Sequence, residues 1–224
     1  MISAVLFDFD GISVDSERLH WKAFNVVLEP LGKIISWPDY IRTYIGFDDR
    51  DAFRTILPII GNPELEDLIE KKAAAFQELL ESDGAAALPG AVKLIQHLSG
   101  NIPLAICSGA LREDILPILG SLGITDAFDI LITAEDTPIS KPDPAPYSKA
   151  WKNLTKKFQT LETVSSGLAI EDTPAGIASA KGAGLKVLSV TNSYPAEYLT
   201  QADAVVDTLE GLTLEKLNKI VTHC

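Results

Sequence analysis

The stretch MISAVLFDFDGISVDSE, residues 1–17, decides the fold of this chain. Its apolar run ISAVLF (2–7) leads directly into Asp8 and Asp10, which are separated by one residue and followed by Gly11. A run without alternation of polar and apolar residues is typical of a strand that is buried on both faces of a parallel sheet. Ligands bind at the carboxyl ends of such strands, and that is where these two acids lie.

Similar runs recur along the chain and predict the remaining strands. They are IPLAIC (102–107), FDILIT (128–133), GLAI (167–170) and LKVLSV (185–190), with ADAVVD (202–207) as a possible sixth. Helical stretches lie between most of them, including VKLIQHL (92–98) and AGIASAKGAG (175–184). The second of these helices has Thr173 as a plausible N-cap and Pro174 at its first position. Alternating strands and helices predict a doubly wound α/β fold with a parallel, Rossmann-like sheet.

Two features depart from this regular alternation. Residues 8–101 separate the first run from the second, which is far longer than an ordinary crossover, and they are rich in helical patterns. We therefore predict an α-helical cap domain at 15–86, inserted into a core domain made of 1–14 and 87–224, with DGAAALPG (83–90) as the return linker. Pro117 lies inside the helix expected after Cys107, and we expect it to kink that helix.

Composition limits the classes of partner. The 224 residues carry a formal net charge of −12, which argues against nucleic acid and anionic membrane surfaces, because both are bound mainly through excess Lys and Arg. The two cysteines, Cys107 and Cys224, form no CxxC motif and suggest a reducing compartment, with Cys107 as a small buried hydrophobe. No signal peptide and no apolar stretch near the roughly 20 residues of a membrane span is seen. We expect a cytoplasmic protein and take a monomer as the default.

The paired aspartates indicate a cation site. Residues i and i+2 of an extended chain point the same way, so Asp8 and Asp10 would repel each other unless a cation or a proton lies between them. Carboxylate and carbonyl oxygens suit Mg²⁺. Taken alone, the pair is equally compatible with two solvated loop acids.

Three other strand ends carry residues that suit phosphate chemistry. Ser108 and Gly109 follow the second run, where a hydroxyl and free backbone N–H groups fit a phosphate oxygen. Lys141 follows the third run within SKPDP, and lysine is a common phosphate partner. Glu171 and Asp172 end the fourth run in IEDTPAG. Each has an ordinary alternative, such as a helix cap or a surface lysine, but four strand ends together favour one site.

Taken together, these motifs resemble the haloacid dehalogenase superfamily of phosphohydrolases, in the subgroup with a helical cap inserted after the first strand. The resemblance covers essentially the whole chain. It is most specific in DFDGISVDSE, SKPDP and EDTPAGIASAKGAG, which follow the family's order and spacing. More narrowly, the chain is similar to β-phosphoglucomutases and sugar-phosphate phosphatases. Ile12 and Ser13 depart from the family's usual Thr-Leu or Val-Leu and flank the site.

The resemblance implies a Mg²⁺-dependent phosphatase that acts on a small phosphorylated metabolite, expected to be a sugar phosphate. Asp8 would attack phosphorus and form an aspartyl-phosphate. Asp10 would be the general acid and then the general base, which requires surroundings that raise its pKa. The implied phosphate ligands are Ser108, Gly109 and Lys141. The implied Mg²⁺ ligands are Asp8, the main-chain oxygen of Asp10, Asp172 and, as a possible fourth, Glu171.

Substrate choice is expected to lie in the cap. His20 and Lys72 fall where relatives carry a histidine and a lysine that faces the site, although both also suit ordinary helix positions. Arg50 lies near the place where mutases carry a phosphate-binding arginine, but counted from Gly46 that place is taken by Asp49. An acid there favours the phosphatase over the alternative, a β-phosphoglucomutase-like mutase that must hold a second phosphate.

The same residues argue against three other classes of protein. A dehalogenase needs neither a metal nor a second acid, so Asp10 and the pair Glu171–Asp172 argue against it. A phosphoryl-receiving signalling module lacks both a large insertion and an acid two residues after the nucleophile. An inactive scaffold has no support, because no motif residue is missing. One ambiguity is local: EDTP occurs at 135–138 and again at 171–174, and the resemblance assigns the metal to the second copy.

Overall fold

The fold is built on a six-stranded sheet in which every strand is parallel to its neighbours. The computed structural model describes residues 1–161 and 163–222. The strand order is β5-β4-β1-β6-β7-β8. These strands are β1 (Ala4–Phe7), β4 (Leu104–Cys107), β5 (Ile130–Ile132), β6 (Gly167–Glu171), β7 (Lys186–Val190) and β8 (Ala204–Val206). Each predicted run, including the possible sixth, contains one of them, so the predicted doubly wound parallel sheet is confirmed.

Both faces of the sheet are buried, which explains the unbroken apolar runs. Val5 and Phe7 of β1 pack on one side of the sheet, in a core shared with α5 (Ala91–Leu98), α6 (Arg112–Ser121) and α9 (Leu214–Thr222). Ala4 and Leu6 pack on the other side, against α7 (Ala145–Lys157) and α8 (Pro174–Gly182). Successive side chains of a strand point to opposite faces, so two helical layers require apolar residues at every position.

The cysteine prediction holds for Cys107, which is fully buried in the second of these cores. Cys224 lies outside the described residues. Within the described part of the chain, no helix is both long enough and apolar enough to cross a membrane.

Four helices are inserted between two short strands that leave and re-enter the core. The strands are β2 (Val14–Asp15) and β3 (Ala86–Ala87), which pair antiparallel. The helices are α1 (Glu17–Leu28), α2 (Trp37–Thr43), α3 (Asp49–Ile56) and α4 (Asn62–Asp83). They enclose an apolar core of their own, in which Phe24, Phe53 and Leu65 are buried. The structure therefore has the helical insertion after the first strand, while the exact domain limits, 15–86, stay a prediction.

Two local predictions concern helices of the core. Thr173 is the N-cap of α8, since its side chain accepts a hydrogen bond from the Gly176 N–H at 3.0 Å. Helix α6 includes Pro117 in its interior, and the kink expected there stays a prediction. Proline has no N–H to offer the carbonyl of Glu113, and that carbonyl instead accepts a hydrogen bond from Gln77 of α4 at 3.0 Å. The insertion thus supplies the hydrogen bond that Pro117 removes.

Gly90, where the chain returns from the insertion, provides a test of this fold. Its φ is +82°, and a Cβ there would lie 2.3 Å from the backbone nitrogen of Glu210. We expect Gly90→Ala to lower the melting temperature clearly, because the left-handed backbone costs about 1–2 kcal/mol and the backbone of 209–210 must also move. Gly100→Ala is the matched control: its φ is +76° and its Cβ would meet nothing within 4 Å. Equal melting temperatures of the two variants would contradict this expectation.

Candidate active site

The structure brings the four predicted strand ends together at the carboxyl edge of the sheet. Asp8 follows β1, Ser108 follows β4, Lys141 lies in the loop after β5, and Glu171 ends β6. The Lys141 ammonium lies 2.9 Å from Asp8 Oδ1 and 2.7 Å from Glu171 Oε1. Its side chain is only 7% exposed. Residues that are far apart in the chain therefore form one buried, charged cluster.

Three carboxylates crowd this cluster. Asp8, Glu171 and Asp172 each offer an oxygen, and these oxygens all lie within 4.8 Å of one another. Burial, followed by the negative charge of Glu171, raises the pKa of Asp8 from 3.8 to about 8, although Lys141 opposes the shift. Burial and the charges of Asp8 and Glu171 also hold the pKa of Asp172 well above its ordinary value. Such a group of acids becomes fully ionised most readily beside a cation.

The surroundings of Asp172 fit a divalent cation. Its Oδ2 accepts a hydrogen bond from the Ser193 hydroxyl, whereas its Oδ1 is buried and has no hydrogen-bond partner. Gly11 has φ +73°, and a Cβ at that position would lie 2.0 Å from Asp172 Oδ2, so glycine leaves room for this carboxylate. A buried, unpaired carboxylate oxygen is costly unless something positive binds it. The donors are all oxygens, which suits Mg²⁺.

Glu171 is engaged by the protein on both of its oxygens. Oε1 accepts hydrogen bonds from Lys141 and from the Tyr147 hydroxyl, each at 2.7 Å. Oε2 accepts from the Asp172 backbone N–H at 3.3 Å and from the Thr173 hydroxyl at 3.5 Å. Glu171 therefore holds Lys141 in place, and its role as a metal ligand stays a prediction.

Asp10 lies between the core and the insertion. Its Oδ1 accepts from the Ser16 hydroxyl and lies 3.3 Å from His20 Nε2, and its Oδ2 accepts from the Ser108 hydroxyl at 3.4 Å. Burial by itself would raise the pKa of Asp10, but the neighbouring His20 imidazole and the Ser16 hydroxyl, which both hydrogen-bond to it, lower that pKa below its ordinary value. Three donors favour the carboxylate here, and the raised pKa that a general acid needs stays a prediction.

The two predicted cap residues His20 and Lys72 contact each other behind Asp10. Lys72 Nζ lies 2.8 Å from His20 Nδ1 and 2.8 Å from Asp49 Oδ1, and Lys72 is fully buried. An ammonium can only donate, so Nδ1 accepts and the imidazole proton lies on Nε2, towards Asp10. Lys72 thus reaches the site through His20 and Asp49 and does not line the pocket itself.

Ser108 and Gly109, which follow β4, contribute to the lining of the pocket. The Ser108 hydroxyl accepts a hydrogen bond from the Ala110 N–H at 3.0 Å in addition to its contact with Asp10. A Cβ on Gly109 would lie 3.6 Å from Asp48 Cβ in the insertion. Both residues line the pocket, as predicted for phosphate ligands.

Arg50 is a predicted site residue that lies outside the lining of this pocket. It lines an adjoining groove between α3 and the loop 138–143, which also includes Lys141, whereas its neighbour Asp49 lines the pocket. Successive residues of a helix are about 100° apart around its axis, so the two side chains leave α3 in different directions. The role of Arg50 as a substrate-binding residue of the cap stays a prediction.

Sequence reasoning missed several groups that surround the site. They are Ser16, Glu17, Phe24, Tyr40, Tyr147 and Ser193. Ser16 and Glu17 are the last two residues of the first motif, DFDGISVDSE, and that position was the available signal. Tyr40, Tyr147 and Ser193 come from distant segments, so no local pattern marks them.

The structure separates the two EDTP copies. Asp136 of the first copy accepts hydrogen bonds from the Thr133 N–H at 3.0 Å and from Arg112 at 2.7 Å. Lys149 lies 3.6 Å from its other oxygen. Asp136, which lies in the loop before Lys141, is thus neutralised by the side chains of Arg112 and Lys149. Asp172 of the second copy lies in the buried cluster with Asp8.

Comparison with known proteins assigns the family. The model of the haloacid dehalogenase-like hydrolases matches residues 5–190, so this chain belongs to that family. The predicted superfamily is thereby confirmed, and with it the prediction of a phosphoric monoester hydrolase of this superfamily.

Three similar proteins illustrate the relationship. The validoxylamine A 7′-phosphate phosphatase of Streptomyces hygroscopicus is 29% identical over 211 residues, which cover 93% of this chain and 95% of that protein. The phosphorylated carbohydrates phosphatase of Thermotoga maritima is 26% identical over 215 residues, which cover 91% of this chain and 93% of that protein. The crystal structure of a β-phosphoglucomutase from Clostridium difficile superposes with a TM-score of 0.85 at 25% identity, covering 100% of this chain and 98% of that one.

Replacing the aspartate by asparagine should have very different effects in the two EDTP copies. We expect Asp172→Asn to abolish activity and its dependence on Mg²⁺ together, since it removes a charge from the buried carboxylate cluster. Asp136→Asn removes a local cap, which typically costs about 0.5–2 kcal/mol of stability, and should lower the rate less than about tenfold. Phosphate release measured across a Mg²⁺ titration distinguishes them, and the reverse ranking would place the metal on the first copy.

Proposed function

We propose that this chain is a Mg²⁺-dependent phosphatase that hydrolyses a small phosphorylated metabolite, a sugar phosphate, through an aspartyl-phosphate at Asp8. The observation that carries the proposal is the position of Lys141, 2.9 Å from Asp8 and 2.7 Å from Glu171. A buried ammonium beside the attacking carboxylate suits the negative charge of a phosphoryl group in a site shielded from water.

In the first step an Asp8 oxygen attacks phosphorus, and the bond from phosphorus to the alcohol oxygen breaks. Asp10 gives its proton to that leaving oxygen. In the second step water attacks the phosphorus of the aspartyl-phosphate and gives a proton to Asp10. The bond from phosphorus to Asp8 then breaks, which releases inorganic phosphate and restores the Asp8 carboxylate. The contacts of Ser108 and Lys141 suit them to hold the phosphoryl oxygens.

The lowered pKa of Asp10 suits the second step, in which it must accept a proton. The first step needs Asp10 protonated, and a phosphate dianion bound beside it raises its pKa by like-charge repulsion. The His20 Nε2 proton, directed at Oδ1, orients the carboxyl group in both steps.

Asp8, Asp172 and the main-chain oxygen of Asp10 would hold Mg²⁺, with Glu171 as a possible further ligand. When bound, the ion neutralises the repulsion between carboxylate and phosphate. The orphaned Oδ1 of Asp172 supports this assignment.

The names of two relatives support the substrate class. They are named as phosphatases of phosphorylated carbohydrates and of validoxylamine A 7′-phosphate. A cytoplasmic location and a monomeric state go with the proposal as predictions from composition and from the absence of contrary signals.

Loss of the nucleophile and loss of the metal should have the same effect. We expect Asp8→Asn, and separately EDTA, to lower the rate on p-nitrophenyl phosphate roughly 10³-fold or more, as removal of a nucleophile does elsewhere. Asp15→Asn, an exposed acid seven residues further along the chain, is the control and should keep its activity. Full activity of Asp8→Asn would refute the nucleophile, and full activity in EDTA would refute the metal.

The mutase alternative predicts a different product. A mutase must hold a second phosphate against the insertion, where the structure has Asp49 at the pocket and Arg50 outside it. We therefore expect β-glucose 1-phosphate, with a trace of the 1,6-bisphosphate and Mg²⁺, to yield inorganic phosphate. Both products should be followed over time. Rapid formation of glucose 6-phosphate with little free phosphate would identify a mutase.

A further inference from the structure

The insertion contributes an acidic half to the pocket. Its lining residues are Glu17, His20, Phe24, Tyr40, Gly46, Phe47 and Asp49. Among the described residues that line the pocket, Lys141 is the one lysine or arginine, and it belongs to the core. A phosphoryl group held at Asp8 and Lys141 therefore directs the rest of the substrate towards a surface whose fixed charges are carboxylates.

Lys72, the cation nearest to this surface, is already engaged. Its ammonium pairs with Asp49 at 2.8 Å and with His20 Nδ1 at 2.8 Å, and it lies 5.1 Å and 5.4 Å from the ring centres of Phe24 and Phe76. Turning it towards a substrate would leave the half-buried Asp49 carboxylate without its partner. Lys72 is itself fully buried and does not line the pocket, so its charge acts there by offsetting Asp49.

Two carboxylates of the insertion, Glu17 and Asp49, line the pocket, and the ammonium of Lys72 offsets the charge of one of them. Glu17 is half-buried and accepts a hydrogen bond from the Tyr40 hydroxyl at 2.7 Å, while Asp49 shares the charge of Lys72. The lining of this half therefore keeps a net negative charge. Carboxylates accept hydrogen bonds from hydroxyl and ammonium groups and repel other anions.

We infer that Asp49 and Glu17 are specificity-determining residues, which select a hydroxyl-rich or amine-bearing leaving group and reject a second phosphate or a carboxylate on the substrate. The inference rests on the proposed phosphatase function and narrows its substrate class. Rejection by placed like charge is an effective source of discrimination, because the unwanted ligand must bury an unpaired anion. Phe24 and Phe47 also line this half of the pocket and add apolar surface for the carbon skeleton of such a polyol.

Two matched pairs of substrates test the inference. Sorbitol 6-phosphate carries a terminal hydroxymethyl group where 6-phosphogluconate carries a carboxylate. Glucosamine 6-phosphate carries an ammonium group where glucose 6-phosphate carries a hydroxyl. For the wild-type protein with Mg²⁺ we expect kcat/KM to favour the first member of each pair, by about tenfold for the first pair.

Variants then assign the preference to the two acids. Asp49→Asn keeps an oxygen for Lys72 and removes the charge, and Glu17→Gln does the same towards Tyr40. We expect each to reduce both ratios about fivefold to tenfold. Asp67→Asn removes an equal charge from an exposed position on α4 and should leave both ratios within twofold. Each ratio compares kcat/KM for two substrates of the same variant, so any general effect of the substitution on Asp10 cancels.

The possible outcomes separate this inference from the proposed function. Unchanged ratios in both variants overturn the inference while phosphatase activity stands. A wild-type protein that hydrolyses p-nitrophenyl phosphate but prefers the anionic substrates also overturns it, whereas failure on p-nitrophenyl phosphate as well overturns the proposed function. If the variants do not fold, inhibition of the wild-type protein by glucosamine, sorbitol and gluconate replaces them. Inhibition by gluconate at equal or lower concentration contradicts the inference.

Discussion

The ion pairs of Lys141 hold this site together. Its ammonium lies between Asp8 and Glu171, in a part of the protein where both carboxylates are buried. Breaking such a buried pair by removing one partner typically costs about 3–5 kcal/mol, because the remaining charge is left without compensation. Lys141 balances one acid charge, and Asp172 adds a further one with an unpaired oxygen. The excess negative charge of this cluster is the physical reason that we propose a cation site here.

The core and the insertion divide the work of the proposed enzyme. The carboxyl edge of the sheet carries the reacting groups, and rigid strands fix their separation. The insertion reaches that edge through His20 on Asp10 and through Gln77 on α6. It also brings Asp49 to the pocket. Under the proposed function, the insertion would set the charge of the surface that the leaving group meets, and a change there would alter the substrate without altering the chemistry.

Much of the fold was predictable because its signals are local. Six apolar runs predict the six strands, since two helical layers require apolar residues on both faces of the central strands, although Val205 of the edge strand β8 is exposed. The N-cap of α8 could be identified from Thr173 and Pro174 alone. The partner of the Glu113 carbonyl, which Pro117 leaves without its helical N–H, could not, because it is Gln77 of a distant helix. The lowered pKa of Asp10 escaped prediction for the same reason, since it depends on the placement of His20 and Ser16.

The sequence by itself determined the class of fold, the family and the strand ends that carry acid, hydroxyl and lysine, because periodicity and motif spacing are properties of neighbouring residues. For the two EDTP copies, which both follow apolar runs, the resemblance to the family favoured the second. The tertiary structure supplied the physical reason, since Asp172 lies in the cluster with Asp8 while Asp136 pairs with Arg112. It also decided that Asp49 rather than Arg50 lines the pocket, and that Lys72 is engaged before any substrate arrives. Those outcomes depend on the rotation of α3 and on contacts between helices, which arise from packing across the whole chain.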